Sequence, residues 1–258
     1  MMLFKWVFIL SSLGILFPRS PDHFDPNNLY QECNRAAHSP LPPSIAASLD
    51  QPFTYLGEGA QIYAFVSKDG TLVLKLFKAR HQSPFKLSRF LDHLMRSQTD
   101  WEVSHNKWRW KFKETNRRYE LAFTHLKDET GLIYLHFAPT HEKLPVTLVD
   151  KYTYEVELSS LPFLLQKRVE LAPDYFKRLK KEGNEQKITE AKKALKQFFV
   201  TRTEKGFSDP RQTLSKNYGF LEGRPIQIDV GKIEPFSGDL KDEITKIHAH
   251  IDEWVSRM

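Results

Sequence analysis

The chain has 258 residues, of which 40% are apolar and 27% charged, with a net charge of +6 and a single cysteine. This length can bury a sizeable core as one large domain or two small lobes, and the composition is that of a globular protein. The lone Cys33 excludes an intrachain disulfide and a cysteine-based zinc site. The mild positive charge is compatible with acidic partners such as nucleotides. No basic-aromatic motif of an RNA- or DNA-binding module occurs, so no nucleic acid partner is expected.

The N-terminal segment is apolar up to Phe17 except for one lysine and two serines. We predict that residues 1–19 form a signal peptide or N-terminal membrane anchor, because a charged start followed by a short apolar run is typical of an export signal. The sequence lacks a small-x-small cleavage site, so membrane association through residues 3–17 and a buried N-terminal helix both stay open. The protein is expected to be membrane-associated or exported, on a side of the membrane that the sequence leaves undetermined. Residues 20–50 are rich in Pro, Asn, Ser and His and are predicted to be an extended linker.

Three strands joined by tight turns are predicted between residues 53 and 77. Gly57 and Gly59 lie in the first turn, where glycines let backbone amides approach a phosphate closely. Lys75 lies on the third strand among leucine, valine and phenylalanine. A lysine is costly to bury unpaired, so an anionic partner is expected for it. The alternative interpretation is a plain β-meander without a ligand.

The middle of the chain predicts mixed helices and strands. Residues 83–126 have a helical pattern with a break near residues 97–100, and Glu120 lies beside the apolar face of the second helix. Strands are then predicted at residues 132–137, 147–158 and 163–171, and helices at residues 173–181, 184–203 and 240–258.

The stretch 217–232 predicts a short β-hairpin with its turn at Glu222-Gly223. Asn217 stands before the first strand and Asp229 after the second, so the closed hairpin brings an amide oxygen and a carboxylate to one end of a small sheet. Two hard oxygen donors there suit Mg²⁺, which completes its octahedron with water and phosphate oxygens. The alternative is that both are ordinary turn residues, since Asn and Asp are common in turns.

Taken together, these parts resemble the protein-kinase superfamily over about residues 51–231. The shared order is a glycine-rich hairpin, a strand lysine, a helix glutamate, a hinge, a catalytic loop and a hairpin that ends in a metal-binding Asp. The resemblance implies an α+β, two-lobe fold. The β-rich N-lobe, with a helical insertion, would occupy residues 51–171, and a truncated helical C-lobe would occupy residues 172–258.

The resemblance also implies ATP and Mg²⁺ as cofactors and a role for each site residue. The implied residues are Gly57, Gly59 and Lys75 at the phosphates, Glu120 paired with that lysine, Glu170 in the hinge that meets the adenine, Asn217 and Asp229 at Mg²⁺, and Asp209 as the catalytic base.

Several positions depart from the kinase pattern. Phe207-Ser208 replace the His-Arg that precedes the catalytic Asp, and eight positions separate Asp209 from Asn217 where the signature has five. Val230 replaces the phenylalanine of the metal motif, no Ala-Pro-Glu segment follows, and only 27 residues remain after it and its glycine. Such a C-lobe resembles the compact bacterial kinases that phosphorylate lipopolysaccharide core sugars, or a degenerate scaffold.

Three functions of different classes remain open. The first is an ATP-dependent phosphotransferase acting on a hydroxyl of a protein or an envelope sugar. The second is a pseudokinase that binds a partner without transfer, which the missing His-Arg and the missing substrate lobe favour. The third is a structural protein with a coincidental kinase-like order. Asp209 distinguishes the first two, because an enzyme should lose nearly all turnover without it.

Overall fold

The computed structural model describes residues 23–31, 33, 40–79, 98–210 and 213–258, with only the backbone described over 98–108. The signal peptide or anchor predicted at the N-terminus and the first helix predicted upstream of residue 97 lie outside these residues. In the described part of the chain, no helix combines the length and the apolar character needed to cross a membrane.

The secondary structure follows the predicted order. The strands are β1 (Phe53–Glu58), β2 (Ile62–Ser67), β3 (Leu72–Phe77), β4 (Leu132–His136), β5 (Pro145–Val149), β6 (Thr153–Glu157), β7 (Phe163–Lys167), β8 (Glu170–Leu171), β9 (Phe207–Ser208), β10 (Tyr218–Leu221), β11 (Arg224–Gln227) and β12 (Glu234–Pro235). The helices are α1 (Pro43–Leu49), α2 (Gln98–His125), α3 (Lys127–Thr130), α4 (Ala172–Lys181), α5 (Glu185–Glu204), α6 (Leu214–Asn217) and α7 (Leu240–Ser256). The stretch predicted as one strand at residues 147–158 is instead the hairpin of β5 and β6.

The N-terminal half is organised around a mixed sheet with the strand order β4-β7-β3-β2-β1-β5-β6. β1, β2 and β3 form an antiparallel meander, and β7 pairs antiparallel with both β3 and β4. The β5–β6 hairpin extends the opposite edge, where β5 runs parallel to β1.

Both faces of this sheet are covered, as β3 shows. Side chains alternate along a strand, so Leu74 and Leu76 point to one face while Lys75 and Phe77 point to the other. The two leucines join the main core of the sheet, and Phe77 packs in a second cluster with aromatic residues of α2. Lys75 therefore enters the side of the sheet that faces α2 and the C-terminal half.

The segment predicted as an extended linker is folded where the structure describes it. Phe24 and Leu29 are buried against the sheet, and α1 adds Ile45 and Leu49 to the same cluster. These apolar residues are far apart among prolines and polar residues, so no periodic pattern reveals their burial. The folded unit consequently begins well before Gln51, where the sequence placed its start.

The C-terminal half is helical with one small sheet. The buried apolar positions of α5 recur mostly at intervals of three and four residues and pack against α4 and α7; they are Ile188, Ala191, Leu195, Phe198 and Phe199. Arg202 and Thr203 are buried at the end of the same helix. A three-stranded sheet of order β11-β10-β8 lies beside these helices. The α+β class and the division into a β-rich part and a short helical part are confirmed.

Candidate nucleotide and metal site

The β10–β11 hairpin brings its two flanking segments together. Its register runs from Tyr218 opposite Gln227 to Leu221 opposite Arg224. The turn residues have positive φ angles, 51° at Glu222 and 79° at the following glycine, as a two-residue type I′ turn requires. Beyond the paired strands, the Ile228 amide donates to the Asn217 carbonyl over 2.7 Å. The hairpin predicted from the sequence is present, with the predicted turn.

Asn217 and Asp229 fit the donor set that Mg²⁺ accepts. The Asp229 carboxylate is exposed, and one of its oxygens accepts a hydrogen bond of 3.0 Å from the Gly231 amide. The described residues contain no cluster of three or more His, Cys, Asp or Glu side chains that could hold a metal. A cation here would therefore depend on one carboxylate, one amide oxygen, water and phosphate, which suits Mg²⁺ and not Zn²⁺.

Lys75 connects the sheet to this hairpin. Its Nζ donates to the carbonyl oxygen of Ile228 over 2.5 Å, across 153 positions of sequence. Burial lowers the pKa of Lys75 to about 8, and the nearby Asp229 carboxylate partly opposes that shift. The ammonium group of Lys75 thus bonds a backbone carbonyl next to the candidate metal residue Asp229. The pairing of Lys75 with Glu120 that the kinase resemblance implies stays a prediction.

A hydrogen bond from α2 also fixes the segment that follows β11. Arg118 Nη1 donates to the Gly231 carbonyl over 3.0 Å, and Val230 is buried between the sheet and the helix. Glu120 is half-buried two positions further along the same helix. No sequence pattern indicates this role for Arg118, because its spacing from Glu114 matches an ordinary helical ion pair.

The glycine hairpin has the open space that a phosphate would need. A Cβ atom at Gly57 or Gly59 would meet nothing within 4 Å. The Gly59 amide donates to the Ile62 carbonyl over 2.8 Å, which closes the turn. Lys78 Nζ also bonds the Gly59 carbonyl at 3.0 Å and the Glu58 carboxylate at 2.6 Å, so a second lysine fastens this loop.

The predicted hinge is packed tightly on the hairpin. Glu170 lies on β8 opposite Phe220, and its carboxylate receives two hydrogen bonds of 2.9 Å from Arg178. A Cβ atom at Gly219 would lie 2.3 Å from Val169 Cγ2 and 2.5 Å from the Glu170 carbonyl, so only glycine fits there. The carboxylate of Glu170 is occupied, and a contact between its backbone and an adenine stays a prediction.

Asp209 follows β9 and is fully buried. Its Oδ2 accepts a hydrogen bond of 2.9 Å from Gln227 Nε2. The same amide nitrogen donates to the Asp229 carbonyl over 3.0 Å, and Gln227 Oε1 accepts from Arg202 over 2.9 Å. The sequence analysis missed both Gln227 and Arg202. The available signal was the position of Arg202 in the buried stripe of α5, where an apolar residue is expected.

The structure therefore brings some predicted site residues together and leaves others apart. Residues 227–229 contact Asp209, Asn217 and Lys75 directly, through the hydrogen bonds described above. Asp229 is part of that same segment. Glu120, Glu170 and the glycine hairpin lie on other elements, and no hydrogen bond described above links them to residues 227–229.

The sequence matches no protein-family model and no curated protein. One of the solved structures that it resembles is the co-crystal structure of WbdD with the kinase inhibitor LY294002, at 12% identity and a TM-score of 0.38. The similarity covers 78% of this chain and 37% of the WbdD chain, so the present chain spans well under half of that protein. A likeness this distant establishes neither a shared family nor a shared activity.

Proposed function

We propose that this protein is an atypical kinase-like protein that binds ATP with Mg²⁺ between its large sheet and the β10–β11 hairpin. The observation that carries the proposal is the placement of Lys75. Its ammonium group is half-buried near the exposed Asp229 carboxylate, at the end of the hairpin that also presents Asn217. Desolvating a cation costs folding free energy, which a polyphosphate ligand would offset on binding.

Each part of the proposed site has a separate task. Lys75 would neutralise phosphate oxygens, while Asn217 and Asp229 would hold Mg²⁺. The metal, when bound, would screen the phosphates and orient the terminal phosphoryl group. The amides near Gly57 and Gly59 would cover the phosphates, and the backbone around Glu170 would meet the adenine.

The proposed activity is transfer of the γ-phosphoryl group to a hydroxyl of a protein or an envelope sugar, with Asp209 receiving the proton of that hydroxyl. An envelope acceptor is consistent with the resemblance to compact bacterial kinases of lipopolysaccharide core sugars. It is also consistent with an N-terminal segment that would export the protein or anchor it to a membrane. Catalysis in such a reaction consists mostly of positioning and electrostatics, so few groups need to act chemically.

A second candidate function is a pseudokinase that binds a nucleotide or a partner without transfer. The full burial of Asp209 favours it, because a general base must lie within hydrogen-bond reach of the proton that it removes.

The deciding experiment is calorimetric titration of the protein with Mg²⁺ and ATP. Wild type is compared with Lys75→Met, Asp229→Asn and the control Lys68→Met, which changes an exposed lysine in the β2–β3 turn. The proposal expects binding by wild type and the control, and loss of binding in the two site variants. If the folded wild type fails to bind, the nucleotide-binding proposal is wrong. If it binds, turnover of wild type against Asp209→Asn then separates the enzyme from the pseudokinase.

A further inference from the structure

We infer that Gln227 is a positioning residue that holds the side chain of Asp209 and the backbone of Asp229 in one arrangement, and that Arg202 sets the orientation of its amide. The role in nucleotide chemistry rests on the proposed function. The network itself is a property of the folded chain.

The geometry places Gln227 between the two acidic residues. Its Nε2 lies 2.9 Å from Asp209 Oδ2 and 3.0 Å from the Asp229 carbonyl oxygen. Its Oε1 lies 2.9 Å from Arg202 Nη1, which also donates to the Tyr218 hydroxyl over 2.8 Å. One amide group therefore links the end of α5, the loop after β9 and the segment after β11.

The chemistry of the partners allows only one orientation of this amide. A guanidinium has donors and no acceptor, so the amide oxygen must face Arg202. An ionised carboxylate and a peptide carbonyl only accept, so the amide nitrogen must face Asp209 and Asp229. A flipped amide would lose all three bonds, and the side chain is consequently locked by its neighbours.

Burying this polar network costs folding free energy, because its groups lose their contacts with water. Arg202, Asp209 and Gln227 are each 0% exposed, and the Nε and Nη2 atoms of Arg202 have no hydrogen-bond partner among the described residues. A buried guanidinium with unpaired donors costs more than an apolar side chain of the same volume. An apolar residue at the end of the α5 stripe would avoid this cost but would leave the Tyr218 hydroxyl and the Gln227 oxygen without their donor, so the arginine serves the polar network and not apolar packing.

A positioning role does explain it. Arg202 aims the amide, and the amide then ties Asp209 to the segment that carries the proposed metal ligand. Moving the Asp209 side chain or the Asp229 backbone strains or breaks its bond to Gln227, and a shift of the Gln227 amide acts on both. The two groups proposed for proton transfer and metal binding are therefore expected to move together.

The test compares Gln227→Glu with Tyr218→Phe. The glutamate keeps an oxygen for Arg202 but, when ionised, has no donor for Asp209 or for the Asp229 carbonyl. The Tyr218 change removes the other Arg202 contact and leaves both Gln227 donors in place. We expect Gln227→Glu to raise amide hydrogen exchange over residues 207–210 and 228–231 by about tenfold or more, and Tyr218→Phe to leave it near wild type.

The second readout is the affinity for Mg²⁺ with ATP. If Gln227 had only a structural role, Gln227→Glu and Tyr218→Phe variants of equal stability would bind with equal affinity. We expect it to weaken about tenfold in Gln227→Glu and to change less than about twofold in Tyr218→Phe, at similar melting temperatures. Unchanged exchange in Gln227→Glu overturns the inference even if wild type binds ATP. Failure of wild type to bind ATP overturns the proposed function and leaves the exchange comparison intact.

A measurement on wild type keeps the inference falsifiable if Gln227→Glu does not fold. The side-chain amide protons of Gln227, assigned by NMR, are expected to exchange with solvent on the order of a hundredfold more slowly than those of the exposed Gln197. Equal exchange at the two side chains would show that the amide is not locked, and the positioning role would then be wrong.

Discussion

At the scale of single residues, the chain keeps charged groups where burial is costly. Lys75 enters the space between the sheet and the hairpin, where it bonds a carbonyl oxygen near the Asp229 carboxylate. Arg202 ends an apolar helix stripe, and among the described residues its Nε and Nη2 atoms have no hydrogen-bond partner. Because desolvating each cation costs free energy, substitutions at these positions should affect stability and the proposed function differently.

The first prediction concerns Lys75→Met, which keeps most of the length of the side chain and removes its charge. We expect the free energy of unfolding at pH 7 to rise by about 1–3 kcal/mol, because the cost of burying the ammonium group disappears. We expect binding of Mg²⁺ with ATP to be lost in the same variant. Thermal unfolding and calorimetry measure the two effects, with Lys68→Met as the control. A lower melting temperature in Lys75→Met would contradict this account of the buried lysine.

The second prediction concerns pH and follows from the Lys75 pKa of about 8. Phosphate oxygens near the ammonium group favour its charged form, so binding ATP near pH 8 should draw a proton from the buffer. Affinity should fall as pH rises through 8, because the cation is lost. Calorimetry at pH 8 in buffers of different ionisation enthalpy measures the proton uptake. Lys75→Arg, which stays charged at this pH, should bind without that uptake if it still binds.

The same pKa has an opposite consequence for stability. The unfolded chain binds a proton at Lys75 with a pKa of 10.5, whereas the folded chain releases it near 8. Between these values the unfolded state holds more protons, so this residue's unfavourable contribution shrinks as pH rises from 8 towards 10.5. The difference in free energy of unfolding between Lys75→Met and wild type should therefore be largest below pH 8. It should shrink as pH rises from 8 towards 10.5.

At the scale of elements, the hinge packs so closely on the β10–β11 hairpin that only glycine fits at position 219. Val169 and the Glu170 carbonyl lie against Gly219, where no Cβ atom fits. The small sheet of β8, β10 and β11 depends on that approach, and the sheet in turn places Asn217 and Asp229. The position of the candidate metal residues is thus set in part by β8, a strand about 50 residues earlier in the chain than β10.

The third prediction is that Gly219→Ala lowers the free energy of unfolding by about 2–4 kcal/mol, because the added methyl group meets backbone and cannot be relieved by a rotamer change. The control is Gly59→Ala, where the added methyl group would meet nothing within 4 Å and stability should change by less than about 1 kcal/mol. Chemical denaturation of both variants measures the difference. Equal stability of the two would show that the hinge can shift away from β10.

At the scale of the whole molecule, the segment before β1 is part of the folded unit. The ring of Phe24 meets those of Tyr63, Phe65 and Tyr154 edge-on, with centroids 5.0–5.3 Å apart. Leu29 pairs with Lys78, the residue that also fastens the glycine hairpin. The N-terminal segment is therefore connected through one lysine to the proposed phosphate loop.

The fourth prediction follows for the boundary of the domain. We expect a protein that starts at residue 23 to be more stable than one that starts at residue 51, because the shorter form exposes the apolar face that Phe24, Leu29 and α1 cover. Phe24→Ala in the full chain should cost about 3–5 kcal/mol, as for other buried aromatics. Asn27→Ala, at an exposed position of the same segment, is the matched control. Identical unfolding curves for the two fragments would restore the linker predicted from the sequence.

The local structure of this protein was determined largely by its sequence alone. Most strands and helices, the β10–β11 turn and the two-part α+β organisation were predictable, because strand alternation, helical periodicity and turn residues are local signals. The convergence of Asn217 and Asp229 was predictable for the same reason, since a two-residue turn sets the register of its hairpin.

Only the tertiary structure decided how the site is assembled. Lys75 bonds the Ile228 carbonyl, the buried Asp209 accepts a hydrogen bond from Gln227, and Phe24 is packed into the core. Each of these contacts joins residues that are distant in sequence or lie on different elements. Local patterns carry no information about which distant group a side chain meets, because packing and desolvation are settled only when the whole chain is folded.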